Sequence, residues 1–196
     1  MSKHWLVFIG LVILLCCTIL LFCGFTNPDE YDGSPIWTNK MIAAHEAAET
    51  LRAAGYSEDS EAIQALSQAW WSEYHDLCIV AKVIEGEAGG CGYEQMVYTG
   101  VTVVNRAKSG KFHYDTIEEI VAAPGQYSLA YLENFHTIQP RVWLAAKDAM
   151  DGNHDAPDDL YWEALFPQGK EIWKIIKYES RWYCSTTYFC RGTIYD

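Results

Sequence analysis

An uninterrupted apolar segment near the amino terminus constrains this chain more than any other feature. From Trp5 to Phe25 every residue is apolar, Gly, Cys or Thr, and no charge interrupts the run. Its 21 residues, at about 1.5 Å of helical rise each, cover the roughly 30 Å of hydrocarbon in a bilayer. A cleavable signal peptide would have a shorter apolar stretch and a small-x-small cleavage site, which the residues after Phe25 do not offer. We therefore expect residues 1–25 to form an uncleaved transmembrane anchor.

The residues that flank this segment predict its orientation. Lys3 is the one firmly positive side chain before the span. Positively charged flanks tend to remain on the cytoplasmic side, whereas acidic residues contribute little to topology. We expect a single-pass protein of the cell membrane, with the domain that follows the anchor on the extracytoplasmic side.

The charge balance excludes one class of partner. The chain has 26 Asp and Glu against 14 Lys and Arg, and Lys3 is the only one of these residues in the predicted anchor. Affinity for nucleic acid depends mainly on contacts from Lys and Arg to phosphate. A domain this acidic is therefore not expected to bind nucleic acid, and any anionic substrate would have to be held by short-range contacts.

Four of the seven cysteines lie beyond the apolar segment, and they are Cys78, Cys91, Cys184 and Cys190. An extracytoplasmic domain favours disulfides, and four cysteines allow three pairings that the sequence cannot distinguish. Free thiols remain the alternative. A structural zinc site is disfavoured, because no C-x-x-C pair exists and the six His are scattered. We expect no metal and no cofactor.

The segment after the anchor predicts a linker and a pair of helices. Residues 26–37 are rich in turn-forming residues, which is typical of a linker. Thr38 can cap a first helix, and Ser57 or Asp59 can cap a second. We expect a helical hairpin over 38–75 that packs on the main domain or acts as a spacer, and a separate binding module is the alternative.

Residues 76–196 are expected to form the main domain. The apolar spacing predicts a third helix from Asp76 to about Ala88, where two glycines follow. In the next helix, Gly100 suggests close approach of another backbone segment. The remaining predicted elements are helices over 93–107, 116–121 and 140–150, followed by short strands or extended loops over 160–162 and 182–189. The predicted fold class is mainly α (α+β), with a small β element.

Glu87 is the first candidate for chemistry. It lies at the carboxyl end of a predicted apolar helix, where the helix dipole disfavours a negative charge. Desolvation by apolar neighbours acts in the same direction. Both effects raise the pKa of a carboxyl group, as a general acid at neutral pH requires. The alternative is a solvated residue at a frayed helix end.

Three ordered motifs surround this glutamate. Glu87-Ala88 is followed by Gly90 and Glu94, the next helix ends in Val104-Asn105-Arg106, and Pro124-Gly125-Gln126-Tyr127-Ser128 comes after it. This order resembles the SleB family of cell wall hydrolases, which includes spore-cortex-lytic enzymes. The likeness covers roughly residues 76–196 and is strongest over 84–128. Cys91 stands where the family pattern has its second glutamate.

The resemblance implies a lysozyme-like hydrolase domain that acts on peptidoglycan. The bond cleaved would join N-acetylmuramic acid to N-acetylglucosamine, and Glu87 would inherit the catalytic position. Family enzymes are described as lytic transglycosylases, in which one carboxyl group serves as acid and then as base. Such a scheme requires no second nucleophile, whereas a two-carboxylate glycosidase requires a partner. Glu94 is the nearest candidate for that partner.

Sugar binding favours aromatic faces and polar side chains in a groove. Candidates for substrate binding are Glu94, Asn105, Gln126, Tyr127 and Tyr161. Each of the aromatic candidates could equally serve in packing. Asn105 could simply bind carbonyl groups at the end of its helix.

Two other functions are consistent with the same sequence. Because Cys91 replaces a glutamate of the family pattern, one alternative is a non-catalytic protein on the same fold that binds the cell wall or acts as a scaffold. A zinc amidase that cuts the bond between muramic acid and the peptide is a third, less favoured reading, because the His residues are scattered.

Overall fold

A computed structural model describes residues 34–127, 138–179 and 184–193. All of these residues fall within one unit, Gly33–Asp196. The predicted anchor over 1–25 and most of the predicted linker lie outside the described residues, so both stay predictions. In the part that is described, no helix has the length and apolarity that crossing a membrane requires.

The described residues form five helices followed by three strands. In chain order these are α1 (Asn39–Ala53), α2 (Glu61–Ala88), α3 (Tyr93–Ser109), α4 (Ile117–Ala122), α5 (Pro140–Asp151), β1 (Leu160–Ala164), β2 (Glu171–Glu179) and β3 (Cys184–Arg191). The predicted fold class, mainly helical with a small β element, is confirmed.

Helix α2 corrects the sequence prediction of two helices in this region. The chain from Glu61 to Ala88 is one continuous helix of 28 residues, capped by Ser60 rather than by Ser57 or Asp59. The sequence has no Gly or Pro between Glu61 and Glu85, so nothing local ends the helix. The predicted boundary between residues 75 and 76 therefore falls inside a helix.

Glu73 links α1 to the middle of this long helix. The Thr38 side chain caps α1 as predicted, accepting a hydrogen bond from the Met41 amide. The same hydroxyl donates to Glu73 Oε1 at 3.1 Å, and Lys40 Nζ lies 3.2 Å from Glu73 Oε2. Because Glu73 is buried, these contacts satisfy a carboxylate that would otherwise be costly to place there.

Helices α2, α3 and α5 pack together around Gly100. A Cβ atom at this position would lie 2.8 Å from Ala149 Cβ and 3.0 Å from Ile84 Cδ1. The position is tightly packed, but the atoms that approach Gly100 belong to side chains, whereas the sequence predicted the approach of another backbone segment. Val80, Val101 and Ala149 belong to the surrounding core.

The ends of the shorter helices follow local capping signals. Thr116 and Glu119 form a complete capping box at the start of α4, as predicted. Helix α5 begins at Pro140 and ends before Gly152, whose left-handed backbone (φ 78°) closes the helix. Both features were expected from the sequence.

The three strands form an antiparallel sheet in the order β1-β3-β2. Strand β3 is central, and Phe189 on it is completely buried. The sequence predicted β1 and β3 but missed β2, because its apolar residues occur in adjacent pairs rather than in strict alternation. Strand β1 packs against α3, and this contact brings the sheet to the candidate site.

Candidate carboxyl site

Glu87 lies one residue before the end of α2, as predicted. Gly89 caps the helix, and a Cβ atom there would lie 2.5 Å from the Glu85 carbonyl oxygen, so only glycine fits this backbone without adjustment. The Glu87 residue is exposed, yet its carboxyl group has enough protein around it that desolvation raises its pKa. The carboxyl end of α2 adds an unfavourable dipole for a negative charge.

Glu163 on β1 is a second carboxyl group at this site. It pairs in register with Phe189 on β3 and retains only part of its accessible surface. The pKa of Glu163 is raised to about 7, chiefly by desolvation and in part by the negative charge of Glu87, against the lowering effect of the Thr99 hydrogen bond. Glu87 and Glu163, which we call the carboxyl pair, are thus close enough for their charges to interact.

Helix α3 presents a buried polar stripe to this region. The stripe consists of residues at spacings of four, three and four along one helix face: Gln95, Thr99, Thr102 and Arg106. None is more than 5 % exposed. Thr99 and Gln95 both form side-chain hydrogen bonds with Glu163, and Gln95 Nε2 also donates to Thr187 Oγ1 at 3.0 Å. The stripe therefore connects β1 and β3 to α3 through polar contacts.

Arg106 ends the polar stripe and supplies its positive charge. Its Nε donates to the Tyr161 carbonyl oxygen at 2.5 Å and its Nη1 to Gln126 Oε1 at 2.7 Å. The guanidinium also lies over the rings of Tyr127 and Trp162, at 5.6 Å and 5.0 Å from their centroids. A buried guanidinium needs such partners, and they fix its position beside the carboxyl pair.

Tyr127 and Cys91 complete the group of titratable side chains near the pair. The Tyr127 hydroxyl lies 3.4 Å from Thr102 Oγ1. Burial raises the pKa of Tyr127, and the charges of Glu163 and Glu87 raise it further. Burial and the charge of Glu163 likewise raise the pKa of the Cys91 thiol. Both side chains are therefore neutral at neutral pH.

Glu94, the partner carboxylate suggested by the sequence, belongs to a different network. Its carboxylate lies 2.5 Å from Lys174 Nζ and 3.0 Å from the Tyr98 hydroxyl. That hydroxyl also donates to Asp155 at 2.6 Å. The carboxyl group that interacts electrostatically with Glu87 is Glu163, whereas Glu94 connects α3 to β2.

The other predicted binding residues divide into two groups. Gln126 is exposed and Tyr127 half-buried, and both contact Arg106 beside the carboxyl pair. Asn105 and Tyr161 are buried. Asn105 Nδ2 donates to the carbonyl oxygens of Pro157 and Leu160, at 3.0 Å and 3.3 Å, so it holds the chain that enters β1.

The described cysteine side chains are free thiols. They are Cys78, Cys91 and Cys190, while the side chain of Cys184 lies outside the described residues. The sequence left disulfides and free thiols as alternatives, and these three cysteines have free thiols. Across 34–127, 138–179 and 184–193, no group of three His, Cys, Asp or Glu side chains is arranged to hold a metal ion.

Sequence reasoning missed Glu163. One signal could have pointed to it, because the polar stripe of α3 interrupts an otherwise apolar helix at helical spacing. Buried polar groups need partners, so such a stripe predicts a polar side chain on the element that packs against it. The sequence does not show that this element is β1.

Residues 90–182 match the family model described as Cell Wall Hydrolase. The match supports a cell wall hydrolase domain in this part of the chain. It includes the polar stripe, Tyr127 and Glu163, and it begins three residues after Glu87. Searches among curated proteins and among solved structures found no match.

Proposed function

We propose that this protein cleaves the glycan strand of peptidoglycan between N-acetylmuramic acid and N-acetylglucosamine, with Glu87 as the acid. The observation that carries the proposal is the position of Glu87, a carboxyl group with a raised pKa next to the region that matches cell wall hydrolases. The ordered motifs around it, which resemble the SleB family, support the same assignment and a lysozyme-like fold.

The proposed reaction is a lytic transglycosylation. Protonated Glu87 donates its proton to the glycosidic oxygen as the bond from that oxygen to muramic acid C1 breaks. The 6-hydroxyl of the same muramic acid then attacks C1, and the Glu87 carboxylate accepts the hydroxyl proton. Glu87 ends the cycle protonated, and the product carries a 1,6-anhydro end. A raised pKa favours the protonated form that begins this cycle.

Tyr127 and Gln126 are the best placed of the predicted binding residues. They lie beside the carboxyl pair and retain accessible surface. An amphipathic ring and an amide are the kinds of group that bind a sugar through its apolar face and its hydroxyls. Glu94, Asn105 and Tyr161 are engaged in contacts within the fold, so we assign their main role to stability.

The proposal places the catalytic domain outside the cell membrane. It rests on the apolar run from Trp5 to Phe25 and on Lys3 before it. A membrane anchor of this kind would hold the enzyme at the inner boundary of the peptidoglycan layer.

A non-catalytic cell wall protein is the second candidate. The observation that favours it is Cys91, a thiol with a raised pKa where the SleB pattern has a carboxylate. Binding to insoluble peptidoglycan without any new reducing or anhydro ends would support this alternative. An amidase would instead release peptides and leave the glycan strands intact.

The glutamine variant of Glu87 tests the proposal. General acid catalysis typically contributes about 10²–10⁴-fold, so we expect Glu87→Gln to lower the release of soluble glycan from purified peptidoglycan by at least about 100-fold. Glu85→Gln is the matched control, since Glu85 lies on the same helix end and its carboxylate accepts from Gln139. Equal digestion by wild type and the Glu87→Gln variant would refute the assignment.

A further inference from the structure

A cavity between α1 and the first half of α2 has no role in the reaction proposed above. Its volume is about 300 Å³. The side chains that define its chemistry are Trp37, His45, Arg52, Ser67, Trp70 and Trp71. All of them lie outside the segment 90–182 that matches the family model, so the family match does not account for this cavity.

The three indole rings of the cavity are set at nearly right angles to one another in sequence. The Trp70 ring lies edge-on to Trp37, with the ring centroids 5.8 Å apart and an angle of 86° between the planes. It also lies edge-on to Trp71, at 4.9 Å and 84°. Trp37 and Trp70 pack against the hydrophobic core, which holds two of the rings in place. The rings therefore form a corner that can contact a ligand from more than one side.

The third ring, Trp71, leaves most of its surface open to solvent. Trp71 is 62 % exposed, and Tyr74, whose ring centroid lies 5.9 Å away, is 37 % exposed. An exposed indole forgoes the large favourable free energy that burial of its apolar surface would supply. Trp71 therefore offers apolar surface that a bound ligand can cover.

Polar side chains line the same cavity. Ser67 supplies a hydroxyl, His45 an imidazole and Arg52 a guanidinium. The guanidinium is held by two carboxylates, with Arg52 Nη1 2.7 Å from Glu49 and Nε 2.5 Å from Glu58. Since two negative charges offset this positive charge, the cavity does not favour an anion. A neutral ligand with an apolar face and several hydrogen-bonding groups matches the lining.

We propose that this aromatic cavity binds an N-acetylated sugar of the cell wall glycan, at a site separate from Glu87. A pyranose ring has an apolar face of C–H groups that packs on an indole, and its hydroxyl and acetamido groups form hydrogen bonds with polar side chains. The choice of a wall glycan rests on the proposed function, whereas the preference for a neutral sugar rests on the rings and charges of the cavity.

The position of the cavity on α2 determines how the two sites share a substrate. Trp71 and Glu87 belong to one continuous helix, and their separation of 16 residues corresponds to about 24 Å along the helix axis. At about 100° of rotation per residue, they lie on nearly opposite sides of α2. One straight glycan strand does not run through both sites. We therefore expect the cavity to hold one strand of the wall while Glu87 cleaves another, which keeps the enzyme on insoluble peptidoglycan.

Sedimentation of the full-length chain with purified peptidoglycan tests the aromatic cavity. Every protein in this assay carries Glu87→Gln, so that the wall is not digested. We expect Trp71→Ala to weaken binding about tenfold, which is typical of the loss of one aromatic anchor. Tyr56→Ala is the matched control, because Tyr56 is a 54 % exposed aromatic residue between α1 and α2 that does not line the cavity. Equal losses in Trp71→Ala and Tyr56→Ala, or no loss in Trp71→Ala, would overturn the proposal.

Indole fluorescence of the same full-length chain shows what covers Trp71. Trp71→Phe removes one fluorophore, so the difference between parent and variant isolates the emission of Trp71. A soluble tetrasaccharide of N-acetylglucosamine should protect this emission from acrylamide quenching. In phosphatidylcholine–phosphatidylglycerol vesicles, brominated lipid should leave it unquenched. Quenching by the lipid would show that Trp71 enters the membrane interface, and that result, like a lack of protection by the sugar, would overturn the proposal.

These measurements distinguish failure of the cavity site from failure of the proposed function. Binding that depends on Trp71, in a protein that digests no peptidoglycan, would refute the proposed function and leave the cavity site intact. Digestion that depends on Glu87, without protection of Trp71 by the sugar, would refute the cavity site alone. If Trp71→Ala does not fold, Ser67→Leu replaces it in the sedimentation assay. This variant keeps all three rings and fills part of the cavity from an exposed position, so it should also weaken binding.

Discussion

Replacement of Glu163 by glutamine should make the protein more stable at alkaline pH. Glutamine has nearly the same shape and can still form hydrogen bonds with Thr99 and Gln95, but it cannot ionise. In the folded protein the pKa of Glu163 is about 7, against an ordinary value of 4.5. Between these values the unfolded chain has released a proton that the folded chain still holds, so the wild type loses stability as the pH rises.

The size of this effect follows from the difference between the two pKa values. Each pKa unit corresponds to about 1.36 kcal/mol, so a difference of roughly 2.5 pKa units gives an upper limit of about 3.4 kcal/mol for the gain in the free energy of unfolding. Glu163 keeps some accessible surface, so we expect about 1–3 kcal/mol after solvent screening. For a chain of this size, that corresponds to an increase in melting temperature of roughly 2–12 °C.

Thermal denaturation at several pH values checks this prediction. The melting temperatures of wild type and Glu163→Gln should be similar near pH 4 and should diverge as the pH rises to 8, with the variant the more stable. Glu118→Gln controls for the loss of one negative charge. A difference between wild type and Glu163→Gln that is constant from pH 4 to pH 8 would refute the reasoning.

Two further predictions concern the packing and capping of helices. Gly100→Ala should lower the free energy of unfolding by about 1–3 kcal/mol, because the new Cβ would lie 2.8 Å from Ala149 Cβ. Chemical denaturation measures this loss. The control is Gly90→Ala, which should show no comparable loss because a Cβ there meets nothing within 4 Å. Thr116→Ala removes the side-chain cap of α4 and should cost about 0.5–2 kcal/mol in the same assay. A variant as stable as wild type would show that this cap adds nothing to the stability of the fold.

Local signals were sufficient to predict most helix ends. Thr38, Thr116 and Gly152 each act through contacts with residues a few positions away, so the sequence contains all that is needed to place them. The continuity of α2 was missed for the opposite reason. Helix α2 packs against α1, α3, α4 and α5, and a helix that serves several partners has an apolar pattern that resembles two separate helices.

The residues of the candidate site also divide into those that local sequence could predict and those that it could not. Glu87 could be predicted because its position at a helix end and its neighbouring motifs are all local in sequence. Glu163 could not, since its environment depends on residues of α2 and α3 that lie more than 50 positions earlier in the chain. Glu94 was the natural choice from spacing alone, but Lys174, which lies 80 positions away, forms an ion pair with it.

Mass spectrometry of the products released from purified peptidoglycan tests the central claim most directly. The account predicts that wild type releases muropeptides with 1,6-anhydro ends, each lighter by one water than the product of hydrolysis, and that Glu87→Gln releases almost none. Free peptides with intact glycan strands, or equal amounts of anhydro products from wild type and Glu87→Gln, would contradict it.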